Sequence, residues 1–274
     1  MEAVQTMEML QKQEQVQKRR GISGSTLKII AVVTMLIDHI GGIILARYIM
    51  ASGYMEVAMS GDMNVINEWL AENGTLFNWY TIMRYIGRIA FPIYCFLLVE
   101  GFLRTHDVKK YAMRLGAFAL ISEVPFDLAL TATPLNFAYQ NVFFTLFIGL
   151  LTMEMFDRIG KVLSNKIGKI LLSCAALVAG AVVAEVVNTD YGAIGVISIM
   201  LLYVLRNHKV LQIIGGCVAF LWEFTAPLAF VPIGFYNGKR GLKLKYFFYA
   251  FYPLHLLILY LICMVLGISD IPAC

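Results

Sequence analysis

Apolar residues along the chain gather into long runs separated by short polar turns, and the runs lack the strict alternation of a barrel strand. Each is roughly the length a helix needs to cross about 30 Å of hydrocarbon. Spans are predicted at about Leu27 to Arg47, Thr81 to Leu103, Leu115 to Leu130, Val142 to Phe156, Ile170 to Val187, Tyr191 to Leu205 and Tyr246 to Leu266. The stretch from Val210 to Tyr236 is interrupted by Pro227 and Pro232 and reads as two short helices or a re-entrant hairpin. Two passes are the preferred reading, because the turn that follows is strongly basic.

Charge between the runs orders them. No Lys or Arg lies between Arg47 and Arg84, so the loop over 48–80 belongs outside, whereas Arg104, Lys109, Lys110 and Arg114 mark the next turn as cytoplasmic. The alternation continues through Arg158, Lys161, Lys166 and Lys169, then Arg206 and Lys209, then Lys239, Arg240, Lys243 and Lys245. The expectation is an all-α polytopic membrane protein with about nine crossings and a cytoplasmic amino terminus. Residues 1–26, polar and closed by Lys18, Arg19 and Arg20, read as a cytoplasmic tail or helix without a signal-peptide cleavage pattern. A membrane domain follows over 27–268 and a short tail over 269–274.

Composition removes the soluble alternative. Hydrophobic residues are 59% and charged residues 15% of 274, with a mean hydropathy of +0.73, against about 45 to 50% and about 25% for a soluble domain. The five Cys lack CxxC spacing and sit mostly inside apolar runs, as packing residues rather than disulfides or metal ligands. Nothing points to a metal or to nucleic acid; the surrounding partner is membrane lipid.

Ionisable groups inside spans are costly unless paired or hydrated, which makes each a functional candidate. At about 1.5 Å per residue, Asp38 and His39 lie roughly 16 to 18 Å from the cytoplasmic start of the first span, and Arg88 about 20 Å from the same face. Glu123, Asp127 and His255 fall at about 12, 18 and 14 Å, so one layer can hold them all. Arg84 and Arg88 share a helix face, with Gly87 beside them to let a neighbouring backbone approach Asp38. Buried ion pairs that fix helix register are the plainer reading of Asp38, Arg88, Glu123 and Asp127. His39 is harder to explain that way, since a neutral imidazole beside a carboxylate is suited to accept a proton. His106 and His208 read as solvated. On the cytoplasmic side, Glu100, Arg104, Lys109, Lys110 and Arg114 in one turn and the Gly-flanked Lys239 and Arg240 in another serve either the positive-inside signal alone or a phosphate-binding mouth.

Five segments carry a family resemblance: LKIIAVVTMLIDHIGG (Leu27 to Gly42), RYIGRIAFPIYCFLLVEGF (Arg84 to Phe102), ISEVPFDLAL (Ile121 to Leu130), NVFFTL (Asn141 to Leu146) and FYPLHL, ending at Leu256. They resemble the TraX family, whose founding member acetylates pilin, and the likeness covers about residues 27 to 260. The family is more distantly similar to membrane acyltransferases that use cytosolic acyl-CoA and an early-helix His, a position that His39 matches. The resemblance implies acetyl-CoA as acyl donor, with its phosphates on Arg104, Lys109, Lys110, Arg114, Lys239 and Arg240. It implies an extracytoplasmic peptide or saccharide as acceptor and the bacterial plasma membrane as location. Combined with the charged layer, it suggests His39 as general base oriented by Asp38, with Arg88 or Asn141 steadying the oxyanion and Arg84, Glu100, Glu123, Asp127 and His255 in support. A proton-coupled transporter or flippase is the rival, since it also needs intramembrane Asp, His, Glu and Arg.

Overall fold

The computed structural model describes residues 21–243 and 245–273. Most of the predicted amino-terminal tail, including Lys18, Arg19 and Arg20, lies outside them. Helix α1, Gly24–His39, starts where the Ser23 hydroxyl accepts from the Thr26 amide at 3.2 Å. It continues through a π-helical segment, Ile40–Leu45, into α2, Ala46–Ala51. The π turn coincides with Gly41 and Gly42, where an added Cβ would stand 2.9 Å from Met83 and 2.6 Å from the Arg84 guanidinium. Glycine there lets another helix reach the α1 backbone.

That helix is α4. After the short α3, Tyr54–Ser60, α4 runs Met63–Gly87, capped by Asp62, whose carboxylate accepts from the Asn64 amide at 2.8 Å. The predicted loop over 48–80 is therefore helical for most of its length, and the Trp69 indole donates back to the Ser52 carbonyl at 3.1 Å. The chain breaks at Arg88 and Ile89 and resumes as α5, Ala90–Arg104. Helices α6, Val108–Thr131, and α7, Val142–Val162, are capped by Asp107 and Asn141; the Lys110 amide holds the Asp107 carboxyl below the usual carboxylate range. Helices α8, Lys166–Val186, and α9, Gly192–Val204, follow. Helix α12, Lys245–Val265, closes the bundle against α6 and α1.

Among the described residues four stretches are long and apolar enough to cross a membrane: Gly24–Ala51, Met63–Arg104, Lys166–Val186 and Tyr246–Val265. Gly192–Asn207 is apolar but shorter. Helices α6 and α7 have the length, at 24 and 21 residues, but carry more charge.

The preferred two passes over 210–236 are not formed. Helix α10, Lys209–Ala219, spans 11 residues, and α11, Phe230–Gly234, only 5; the longer arm covers about 16 Å, half a hydrocarbon core. Both ends return to the basic end of the bundle. Lys209 Nζ donates to the Tyr236 carbonyl at 3.3 Å, and the Ile22 amide donates to the Phe235 carbonyl at 2.9 Å. The tip meets the α4–α5 break, where Thr225 Oγ1 donates to the Tyr85 carbonyl at 2.5 Å. The arms close tightly because Gly216 sits against the Phe230 ring, 2.1 Å from where a Cβ would stand.

At the opposite end a buried cation ties three segments together. Arg47, fully buried, donates to the carbonyls of Ile271 and Ala129, both at 2.7 Å, and of Leu128 at 3.1 Å. Its charge faces the carboxyl end of α6, where unpaired carbonyls and the helix dipole favour a cation. Arg47→Met is expected to lower unfolding stability by about 3 kcal/mol, roughly 1.5 for each of the two short charge-assisted bonds. Denaturant unfolding in detergent checks this: a loss no larger than that of a surface control such as Lys166→Met contradicts the role.

Candidate functional site

The residues expected to share one layer do not meet in one site but fall into three groups of contacts: the histidines, the two arginine–carboxylate pairs, and the carboxylates beside Asn141. His39 closes α1, and its Nδ1 lies 2.6 Å from Nε2 of His255 on α12. The two rings are nearly coplanar, 21° apart with centroids 4.8 Å from each other. His255 Nδ1 in turn lies 2.7 Å from the Phe251 carbonyl oxygen, one turn earlier on the same helix. Tyr252 presents its ring edge-on to both imidazoles, at 6.0 and 5.7 Å.

Asp38 looks elsewhere. Consecutive residues on a helix diverge by about 100°, so while His39 meets α12, Asp38 turns to α4 and accepts from Arg84 Nη1 at 2.7 Å. Gly87 makes this possible, because a Cβ there would lie 2.1 Å from the Asp38 side chain. Arg88, expected near Asp38, instead pairs with Glu223 at the hairpin tip, at 3.2 Å, beside Tyr191. Both arginines keep 27% of their side-chain surface exposed.

The third contact concerns Glu123, Asp127 and Asn141. Asn141 Nδ2 donates to Glu123 at 2.5 Å and to the Ala119 carbonyl at 2.8 Å, and its Oδ1 accepts from the Phe143 amide at 3.0 Å. Both amide hydrogens are thus engaged, leaving none for an oxyanion; Asn141 caps α7 and clamps it to α6. Asp127 accepts from the Asn136 amide at 2.7 Å, holding the connecting loop down. Glu123 and Asp127 each retain one buried oxygen without a partner.

A cavity of about 360 Å³ opens between α1, α5, α6, α7 and α12 at the basic end. Lys28, Arg104, Arg114 and Arg240 stand around its mouth, with Glu100 and Tyr236 among them. Its inner wall is apolar and aromatic, from Tyr94, Leu98, Phe143 and Tyr249 to Met35 and Tyr252. Met35 lies one helical turn before His39, and Tyr252 touches both imidazoles, so the inner end approaches the histidine pair, although neither imidazole lines the cavity.

The six cations expected at this mouth divide. Arg104, Arg114 and Arg240 line it. Arg104 is already engaged, by Glu100 at 2.7 Å and by the Gly238 carbonyl at 2.7 Å, whereas Arg114, hydrogen-bonded to Tyr249, keeps its Nε buried without a partner. Lys110 pairs with Asp107 at 3.2 Å, and Lys109 faces a second groove beside Arg158. Lys239 is not among the lining residues. The periodicity of α6 carried the distinction, since Tyr111, Arg114 and Leu115 share one face while Lys109, Ala112, Met113 and Gly116 share another. His106 and His208 are exposed, as expected.

Sequence reasoning did not select Lys28, Tyr191, Glu223 or Tyr252 for the site. Lys28, over the Phe248 ring at 5.3 Å, had only its place in the first turn of a span to mark it. Glu223 stood between Trp222 and Phe224 in an apolar stretch, a signal of the same kind as Asp38. Tyr252 is one residue of FYPLHL, whose period sets Phe251 and His255 one turn apart.

Known proteins agree with this segment pattern. The family model described as "TraX protein" matches residues 23–263. A relative from Dichelobacter nodosus, named "Probable fimbrial assembly protein FimC, serogroup H1", is 31% identical over 205 residues, covering 66% of this chain and 82% of the relative. No solved structure matches the chain. The family match runs from the cap of α1 to the end of α12, through the histidine pair, the arginine pairs and the hairpin: this membrane protein belongs to the TraX family.

Proposed function

We propose that the protein is a membrane-embedded acyltransferase that moves an acyl group, acetyl in the first instance, from cytosolic acyl-CoA to an amine or hydroxyl on the far side of a bacterial plasma membrane. The observation that carries this reading is the cavity, cationic at its mouth and aromatic at its inner end, which approaches His39. Coenzyme A has that profile, with phosphates at one end and a slender pantetheine arm leading to the thioester. Arg114, Arg240 and Lys28 take the phosphates, and Arg104 joins them if it exchanges Glu100 for the ligand. The thioester then rests under His39.

The acceptor approaches from the side of Arg84 and Arg88. His39 removes its proton as the nucleophile attacks the thioester carbonyl, and Arg88 is the donor nearest in kind to an oxyanion partner. The positive-inside rule sets the basic end in the cytoplasm. With the hairpin turning back on itself, the described residues cross seven times rather than nine, starting from the inside. The fimbrial relative and the pilin-modifying founder of the family favour a pilus subunit as acceptor over a saccharide. A proton-coupled transporter accounts for the charged layer but gives no use to a cationic mouth and aromatic wall.

Binding and turnover test the reading separately. Acetyl-CoA is expected to raise the thermal midpoint of the purified protein. His39→Ala is expected to keep that rise while transfer to an added peptide amine falls by about 100-fold or more; normal transfer by the variant contradicts the general-base role. Arg114→Ala and Arg240→Ala are each expected to raise KM for acetyl-CoA by about 10-fold, the weight of one charge-assisted contact. Lys110→Ala, whose partner is Asp107, is expected to leave it unchanged. Equal effects at all three positions contradict the assignment of the mouth.

A further inference from the structure

We infer that His255 is a positioning residue that fixes His39 in the tautomer with a bare Nε2, making that one nitrogen the atom that takes and returns the acceptor's proton. The inference rests on the acyl-transfer reading above, and its structural half stands without it. A carbonyl oxygen only accepts, so the 2.7 Å contact with Phe251 requires the hydrogen of His255 to sit on Nδ1. In the neutral ring Nε2 then carries a lone pair. That lone pair lies 2.6 Å from His39 Nδ1, and two lone pairs cannot share such a contact, so His39 Nδ1 must donate. Neutral His39 is left with its lone pair on Nε2.

The surroundings hold this arrangement. His255 is 4% exposed and lies against the Phe251 ring, 4.7 Å between centroids and 11° from parallel. Turning it over would break both nitrogen contacts at once. Asp38, the neighbour of His39 in sequence, is bound to Arg84 and does not take this part.

The chain of contacts also ends at Phe251, whose carbonyl cannot carry a proton onward. A proton gained by His39 Nε2 therefore leaves by Nε2. As the acceptor's nitrogen or oxygen bonds to the acyl carbon, its proton passes to Nε2; the carbon–sulfur bond then breaks, and the CoA thiolate takes the proton back from Nε2. No other reactant is needed. While His39 is doubly protonated, the His255 lone pair supports the Nδ1 hydrogen. Base and acid are one atom, which requires acceptor and thioester to meet on the same edge of the ring.

Nitrogen NMR of the protein labelled with ¹⁵N-histidine in lipid, with the His39 signals identified by their loss in His39→Ala, reads the tautomer directly. The expected result is a protonated Nδ1 and a bare Nε2 on His39. His255→Leu is expected to remove that preference and to lower kcat about 100-fold with KM for acetyl-CoA unchanged. His255→Gln, whose amide can accept from His39 and donate to Phe251, is expected to recover at least 10-fold of the loss. Retention of the acetyl-CoA thermal shift shows that each variant is folded. A His39 protonated on Nε2, a normal kcat in His255→Leu, or Gln no better than Leu overturns the inference. A wild-type protein that binds acetyl-CoA and transfers nothing sinks the acyl-transfer reading instead, and the nitrogen signals then decide the tautomer alone.

Discussion

Polar side chains inside an apolar bundle must find partners within it, and in this protein that requirement arranges almost everything around the end of α1. Asp38 and His39 are adjacent, so they face different neighbours. Asp38 needs a cation, and Gly41, Gly42 and Gly87 let α4 come close enough for Arg84 to supply it. His39 needs a hydrogen-bond partner, and α12 brings His255. The π turn that starts just after His39 fits a segment where helix geometry yields to these demands. Satisfying one pair with charge and the other without leaves the imidazoles free of a direct carboxylate contact, while a layer of fixed charge lies alongside.

The same constraint explains the hairpin. A chain that enters at Lys209 and returns at Tyr236 reaches only as far as Arg88, because its tip carries Glu223, the carboxylate that this arginine requires. Arg47 answers the requirement differently at the other end, spending its donors on backbone carbonyls of α6 and of the carboxyl-terminal segment. The bundle is thus pinned by polar contacts in the layer of Asp38, His39 and Arg88 and again at the Arg47 end, and the cavity lies between that layer and the basic end.

Much of this was legible in the sequence. Apolar runs located some helices closely, the final span, expected over Tyr246 to Leu266, being Lys245–Val265, but the second, expected from Thr81, begins at Met63, because its first half is too polar to read as a span. Counting rise per residue brought Asp38, His39, Arg88, Glu123, Asp127 and His255 to one depth. Depth is set by position along a helix, but the direction a side chain takes around it depends on which helices pack where, and one sequence does not say. Hence Asp38 was paired with His39 by proximity in the chain, while the fold sets His255 there. Asn141 was read as a free donor, although its position at a helix start, Asn before a long apolar run, already suited a cap. Charge balance likewise required residues 210–236 to return to their starting side and was silent on how far they travel.

The family match spans the helices that carry the histidine pair and the arginine pairs. In the proposed reading the cavity sets a chemical division of labour, with an anionic donor held at the basic end and the acceptor met beyond the histidine pair. The central claim is that the acyl group crosses while CoA stays where it began. Sealed proteoliposomes with the basic end facing inward, loaded with acetyl-CoA labelled in its acetyl group and given a pilin amino-terminal peptide only outside, test it directly. The account expects labelled peptide outside and all CoA retained inside; label transferred only when donor and acceptor share a compartment contradicts it.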